Sequence, residues 1–136
     1  MSQGRDWVAD MAWMNEAPYF QLLGMEVVEL AEGYARMIVP VNDSMNSALG
    51  TLHGGVLSSL SDSAVAMALF TVIGPGDKPV TVELNINYLR PAGDGQLTAT
   101  ARIVSRGRTI AVGDVDITDD LDRLIAKSRA TFMVVS

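Results

Sequence analysis

One segment of this chain, residues 54–73, has to be both helical and buried. Gly54 and Gly55 open it and Gly74-Pro75-Gly76 closes it. Between these breaks the apolar side chains fall on almost every side: Val56, Leu57, Leu60, Ala64, Val65, Ala66, Met67, Ala68, Leu69, Phe70 and Val72. A helix of that kind needs cover all round. Its apolar run at 64–73 is too short and too interrupted to span a bilayer. The cover must come from the rest of the chain, and Ser58, Ser59, Ser61, Ser63 and the alanines are small enough to let it approach closely.

The remaining segments read as strands and one short helix. Trp7, Val8, Met11 and Met14 recur at helical spacing within residues 5–14, and Pro18 and Gly24 punctuate the next segment. Residues 1–22 are therefore expected to form an N-terminal helical segment. Residues 25–30 and 34–39 are strand candidates joined by a turn at Ala31-Glu32-Gly33. A polar loop covers 41–52. After the long helix, residues 80–88 alternate, with Val80, Val82, Leu84, Ile86 and Tyr88 on one face and Thr81, Glu83, Asn85 and Asn87 on the other. Residues 97–104, 109–118 and 124–135 come next, with turns at Arg106-Gly107-Arg108 and 119–122. Consecutive strands joined by short turns are antiparallel. The expectation is one α+β domain over 1–136, an antiparallel sheet curled around one helix.

Composition narrows the chemistry. The chain has no cysteine and one histidine, so it offers no thiol nucleophile and no structural zinc set. The N-terminus carries charges where a signal peptide needs an apolar run, so a cytoplasmic protein is expected. The net charge of −6 disfavours nucleic acid. Yet residues 78–108 carry five basic side chains against two acidic, while residues 1–77 carry two against nine. A local basic stretch on an acidic protein suits a small anionic ligand, or it is simply a solvated face.

Asp62 is the only ionisable residue between His53 and Asp77. Aspartate is a poor helix former, and a carboxylate in apolar surroundings is costly. Such an acid either serves a functional site or reaches a wet edge or an arginine. His53 and the two glycines open the same helix. There, backbone N–H groups lacking intrahelical acceptors, together with the positive end of the helix dipole, can stabilise an oxyanion; a plain helix cap is the alternative. Gly54 lies eight residues before Asp62, about 12 Å along the axis, and His53 nine before it, about half a turn away. The two ends cannot meet over one reacting atom within one chain. If they cooperate, they do so across a dimer.

The run Gly50-Thr51-Leu52-His53-Gly54-Gly55-Val56-Leu57-Ser58-Ser59-Leu60-Ser61-Asp62-Ser63-Ala64 closely resembles the signature of hot-dog-fold acyl-CoA thioesterases of the phenylacetate-degradation type, within the 4-hydroxybenzoyl-CoA thioesterase superfamily. The resemblance continues through Val80-Thr81-Val82-Glu83-Leu84-Asn85-Ile86-Asn87-Tyr88-Leu89-Arg90-Pro91-Ala92 and covers residues 20–135. It implies a hot-dog fold and hydrolysis of an aryl- or medium-chain acyl-CoA, with no cofactor beyond the substrate's own coenzyme A. It also implies a homodimer as the minimal active unit, paired into a homotetramer. Residue by residue, the Gly54 N–H polarises the thioester carbonyl and His53 holds the turn. Asp62 of the facing subunit attacks the carbonyl or activates a water, and Thr81 orients that water. The family places an asparagine or glutamine six residues before the histidine; here that position is Ser47, with Asn46 one residue earlier. Arg90, Arg106 and Arg108 are candidates for the phosphates of coenzyme A. A hydratase or dehydratase acting on acyl thioesters is disfavoured by the nine-residue spacing. A non-catalytic acyl-CoA-binding module would have no use for Asp62.

Overall fold

The computed structural model describes residues 5–92 and 95–136. The N-terminal segment holds two helices rather than one, α1 (Trp7–Met14) and α2 (Pro18–Leu23). Asp6 caps α1 by accepting the Ala9 N–H at 3.1 Å. Pro18 starts α2, where its missing N–H costs nothing, and Gly24 at φ +76° ends it in a left-handed turn. Strands β1 (Glu26–Ala31) and β2 (Tyr34–Pro40) follow, then a 3-10 turn at Asp43–Met45 and the long helix α3 (Gly54–Phe70). This helix stops three residues short of the expected end, because Thr71 turns its hydroxyl back onto the Ala68 carbonyl at 2.6 Å. Strands β3 (Lys78–Tyr88), β4 (Gln96–Arg106), β5 (Ile110–Thr118) and β6 (Leu124–Val135) complete the fold.

All six strands join one antiparallel sheet in the order β1-β2-β4-β5-β6-β3. Alternate residues of the inner strands face α3: Ala35, Met37 and Val39; Leu97, Ala99 and Ala101; Ala111, Val115 and Ile117; Ala126, Ala130 and Phe132, all buried. Many are alanines, which lets the helix settle close to the sheet and bury Leu57, Leu60, Ala64, Val65, Ala68 and Leu69. At Gly113 a Cβ would lie 2.7 Å from Val65 Cγ1, so only glycine permits this approach. The outer face carries the Glu29–Arg36, Asp114–Arg129 and Asp116–Lys127 ion pairs, with exposed Val80, Ile110 and Met133 paired side by side toward the β3 edge. A sheet covered on one side and wrapped around one helix is the hot-dog arrangement.

Strand β3 departs from the alternation that its sequence shows. Thr81 pairs with Phe132 and Glu83 with Thr131, so the register shifts at Val82. Cross-strand partners share a face. Thr81, Leu84, Ile86 and Tyr88 sit opposite Phe132, Ala130, Ser128 and Ala126, and so point inward with them. Val80 moves to the outer face and is 46% exposed, with Val82 at 57%. The alternation read from the sequence is correct from Leu84 onward and inverted before it. The bulge turns Thr81 toward α3.

Candidate active site

The turn before α3 is tied down residue by residue. His53 is its N-cap, with Nδ1 accepting the Gly55 N–H at 2.8 Å. An Nδ1 that accepts belongs to the neutral ring protonated on Nε2. The His53 N–H donates to the Met45 carbonyl at 2.8 Å, anchoring the turn to the loop before it. Gly55 has to be glycine here, since a Cβ would lie 2.9 Å from His53 Nδ1. At Gly54 a Cβ would meet the Tyr88 ring at 3.2 Å. The Gly54 N–H has no acceptor among the described residues, which leaves a donor free at the positive end of a 17-residue helix. The helix-cap reading of His53 is therefore correct, and it leaves the Gly54 donor available.

Asp62 lies eight residues on, half-buried on α3. Its Oδ1 accepts the Thr81 hydroxyl at 2.7 Å, a contact made possible by the β3 bulge. The ion pairs formed among the described residues lie elsewhere, and Oδ2 has no hydrogen-bond partner there. Asp62 is thus neither sealed in the core nor paired with an arginine. Because α3 is continuous, Asp62 stays about 12 Å along the axis from the Gly54 N–H of its own chain.

Two cavities flank the His53-Gly54 turn. Asn46 and His53 line one of 440 Å³, with Tyr19, Leu23, Val56 and Ser59 among its walls. None of its lining side chains is charged. Gly54, Tyr88 and Arg90 line the other, of 310 Å³. Of the two residues considered for the family's amide position, Asn46 reaches the cavity beside His53. Ser47 is engaged in its own turn, accepting the Leu49 N–H at 3.2 Å.

The three arginines do not form one cluster within the chain. The Arg90 N–H donates to the Ile125 carbonyl at 3.2 Å, at the start of β6. The Arg106-Gly107-Arg108 turn lies beyond Ile110, which pairs with Met133 near the end of β6. Eight residues of strand separate the two, about 26 Å. The Arg106 guanidinium folds over its own turn onto the Gly107 and Arg108 carbonyls. Reading the sequence missed Tyr88 and Ser58, whose hydroxyls are 2.7 Å apart over the first turn of α3. Tyr88 ends an alternating strand, and nothing local separates it from a core aromatic. Among the described residues, no group of three or more His, Asp or Glu could hold a metal ion, and no helix is long and apolar enough to cross a membrane.

An antiparallel sheet wrapped around one long helix is the hot-dog fold of a class of thioester-cleaving enzymes. Residues 49–126 match the thioesterase superfamily, and the chain belongs to that family and is a thioester hydrolase. Over 125 residues it is 34% identical to the acyl-coenzyme A thioesterase 13 of Mus musculus, covering 89% of each chain. Over 114 residues it is 31% identical to the 1,4-dihydroxy-2-naphthoyl-CoA hydrolase of Listeria monocytogenes, covering 84% of this chain and 93% of that one. The PaaI protein of the Escherichia coli phenylacetic acid degradation operon superposes with a TM-score of 0.86 at 28% identity, covering 96% of this chain and 93% of that one.

Proposed function

We propose that this protein hydrolyses an acyl-CoA to the free acid and coenzyme A, at a site shared by two subunits. The observation that carries this reading is the pair of unsatisfied groups on α3: the Gly54 N–H, and an Asp62 carboxylate held by Thr81 at one oxygen and free at the other. The Gly54 N–H donates to the thioester carbonyl and stabilises the oxyanion that develops there. On the general-base route, Asp62 of the partner subunit takes a proton from water as the water oxygen bonds to the carbonyl carbon. The tetrahedral intermediate then collapses, the C–S bond breaks, and the sulfur leaves with that proton. On the nucleophilic route, Oδ2 bonds to the carbonyl carbon and the C–S bond breaks to release the coenzyme A thiolate. Water then cleaves the resulting anhydride, returning the Asp62 carboxylate and the free acid, and its spare proton goes to the thiolate.

The sheet supports the two-subunit arrangement. β3 is an edge strand with exposed Val80 and Val82, and an unpaired edge can take a second copy. Two β3 strands paired antiparallel about a two-fold axis bring the Gly54–Tyr88 end of one chain toward the Thr81–Asp62 end of the other. Arg90 of one chain then shares a site with the Arg106–Arg108 turn of the second, for the phosphates of coenzyme A. The uncharged 440 Å³ cavity, within the ordinary range for small-molecule pockets, takes the acyl group beside Asn46 and His53. A pair of such dimers gives the tetramer.

The test is release of free thiol from a panel of acyl-CoAs, measured on the native chain and on Asp62→Asn. The substitution lowers kcat by roughly 10²-fold or more, about 2.7 kcal/mol in the barrier. It leaves KM near its native value, and the melting temperature stays level, because asparagine still offers Thr81 an acceptor. Normal turnover in Asp62→Asn removes the acid from the chemistry.

A further inference from the structure

Tyr88 and Ser58 stand over the first turn of α3, in neither the core nor the set of reacting groups. The Tyr88 ring fills the space that a side chain at residue 54 would take, with Cε1 and Cζ 3.2 Å from the position of a Cβ. Its hydroxyl lies 2.7 Å from Ser58 Oγ and 3.3 Å from the Gly54 carbonyl. With one proton on each hydroxyl, one of the two donates to the other while its partner donates to that carbonyl. Ser58 Oγ reaches the same carbonyl at 3.3 Å. The other end of that peptide is held as well, since the Gly55 N–H donates to His53 Nδ1 at 2.8 Å. The peptide between Gly54 and Gly55 is therefore clamped at both its carbonyl and its N–H. The Gly54 N–H lies on the preceding peptide, whose His53 carbonyl accepts the Val56 N–H at 3.0 Å. Holding the peptide on the other side of Gly54 fixes φ and ψ at a residue with no Cβ to restrict them, and so fixes the direction of that N–H relative to the turn.

We infer that Tyr88 is a positioning residue for hydrolysis: ring and hydroxyl together fix the Gly54 turn so that the Gly54 N–H points at the substrate carbonyl. This rests on the proposed role of Gly54 as oxyanion donor. Tyr88 is 52% exposed and lines the same 310 Å³ cavity as Gly54 and Arg90, so the clamp borders the site itself. It also belongs to β3, the strand whose Thr81 holds Asp62. One strand thus orients both groups that a chain contributes, one to each of the two sites of a dimer.

The experiment compares Tyr88→Phe, Ser58→Ala and Asp62→Asn in thiol release from one acyl-CoA, with melting temperature and pH–rate profile measured on the same preparations. Tyr88→Phe keeps the ring and loses the hydroxyl. A small misplacement of a catalytic group costs about 10-fold to 100-fold in rate. The expected result is a fall of that order in kcat with KM within about twofold, the pattern of an interaction made only in the transition state. The pH profile keeps its shape, because Tyr88 moves no proton. Ser58→Ala, which leaves the Tyr88 bond to Gly54 in place, loses less. An unchanged kcat in Tyr88→Phe overturns the inference while leaving the hydrolase reading intact, provided Asp62→Asn is inactive. An altered alkaline limb, or a KM and stability loss that accounts for the whole effect, overturns it too. Normal turnover in Asp62→Asn overturns both.

Discussion

At the scale of single residues, the site depends on which small groups are excluded as much as on which polar ones are present. Gly55 has no Cβ because the His53 imidazole occupies that space, and His53 caps α3 only because Gly55 leaves it room. The two residues form one device. His53→Ala removes the cap at a cost of about 1 kcal/mol and loosens the turn, so both melting temperature and kcat fall. Gly55→Ala pushes the imidazole off the N–H and reproduces that loss of kcat. Residues acting as a unit are non-additive, so the double variant loses little more activity than either single one. A double loss equal to the product of the single ones would show two independent roles. Thr81 and Asp62 are a second such pair, joined by one 2.7 Å hydrogen bond across 19 positions of sequence.

At the scale of elements, α3 is the part on which the site depends most, and its far end is secured by a residue well away from the chemistry. Arg5 donates to the Phe70 carbonyl at 3.1 Å and the Ile73 carbonyl at 2.9 Å, and its guanidinium lies 5.1 Å from the Phe70 ring centroid. A cation on the last carbonyls of a helix satisfies acceptors with no intrahelical donor and complements the dipole. Arg5→Ala should lower the melting temperature by roughly 5 °C with kcat unchanged, as read by calorimetry and thiol release. On the outer face of β5, the hydrogen bond from Arg129 holds the Asp114 carboxyl below the usual carboxylate range. A depressed folded-state pKa contributes stability above the unfolded value, which is lost as the pH falls through the folded one. The stability difference between native and Asp114→Asn chains should therefore be full above about pH 3.9 and shrink only as the pH falls further, through the lower folded-state value. Chemical denaturation at several pH values measures it.

At the scale of the whole molecule, Gly54 and Asp62 lie too far apart on one helix to meet over one carbonyl, so the proposed hydrolysis requires two subunits. Asp62→Asn and Gly54→Val chains, each inactive alone, should regain part of the native activity when mixed and allowed to exchange. Hybrid dimers restore one intact site from the undamaged Gly54 of one chain and the undamaged Asp62 of the other. No recovery, with exchange shown by mass-tagged subunits, would place the site within one chain. In the proposed dimer Arg106 and Arg108 contact the phosphates of coenzyme A. Replacing both by alanine should raise KM for acyl-CoA with little change in kcat, and the rise should shrink for a truncated thioester lacking the nucleotide. An equal rise on both substrates would assign these arginines to the fold.

Much of this was legible in the residues themselves. The all-apolar stretch at 54–73 required a covered helix, and the alternating runs after it required a sheet to cover it, because local periodicity is a direct consequence of burial. Asp62 stood out for being alone, and the His53-Gly54-Gly55 run for opening a helix with free amides. The three-dimensional fold decided which groups meet. The bulge at Val82 arises from pairing with β6, so it inverts the face of Thr81 in a way that no pattern within β3 shows. Tyr88 meets Gly54 and Ser58 only because the end of an edge strand lands on the first turn of α3. Arg90 was separated from Arg106 and Arg108 by the length of a strand, although all three lie in one basic stretch of sequence. Burial leaves its mark on neighbouring residues, whereas contacts between distant ones depend on register and on where the strands end.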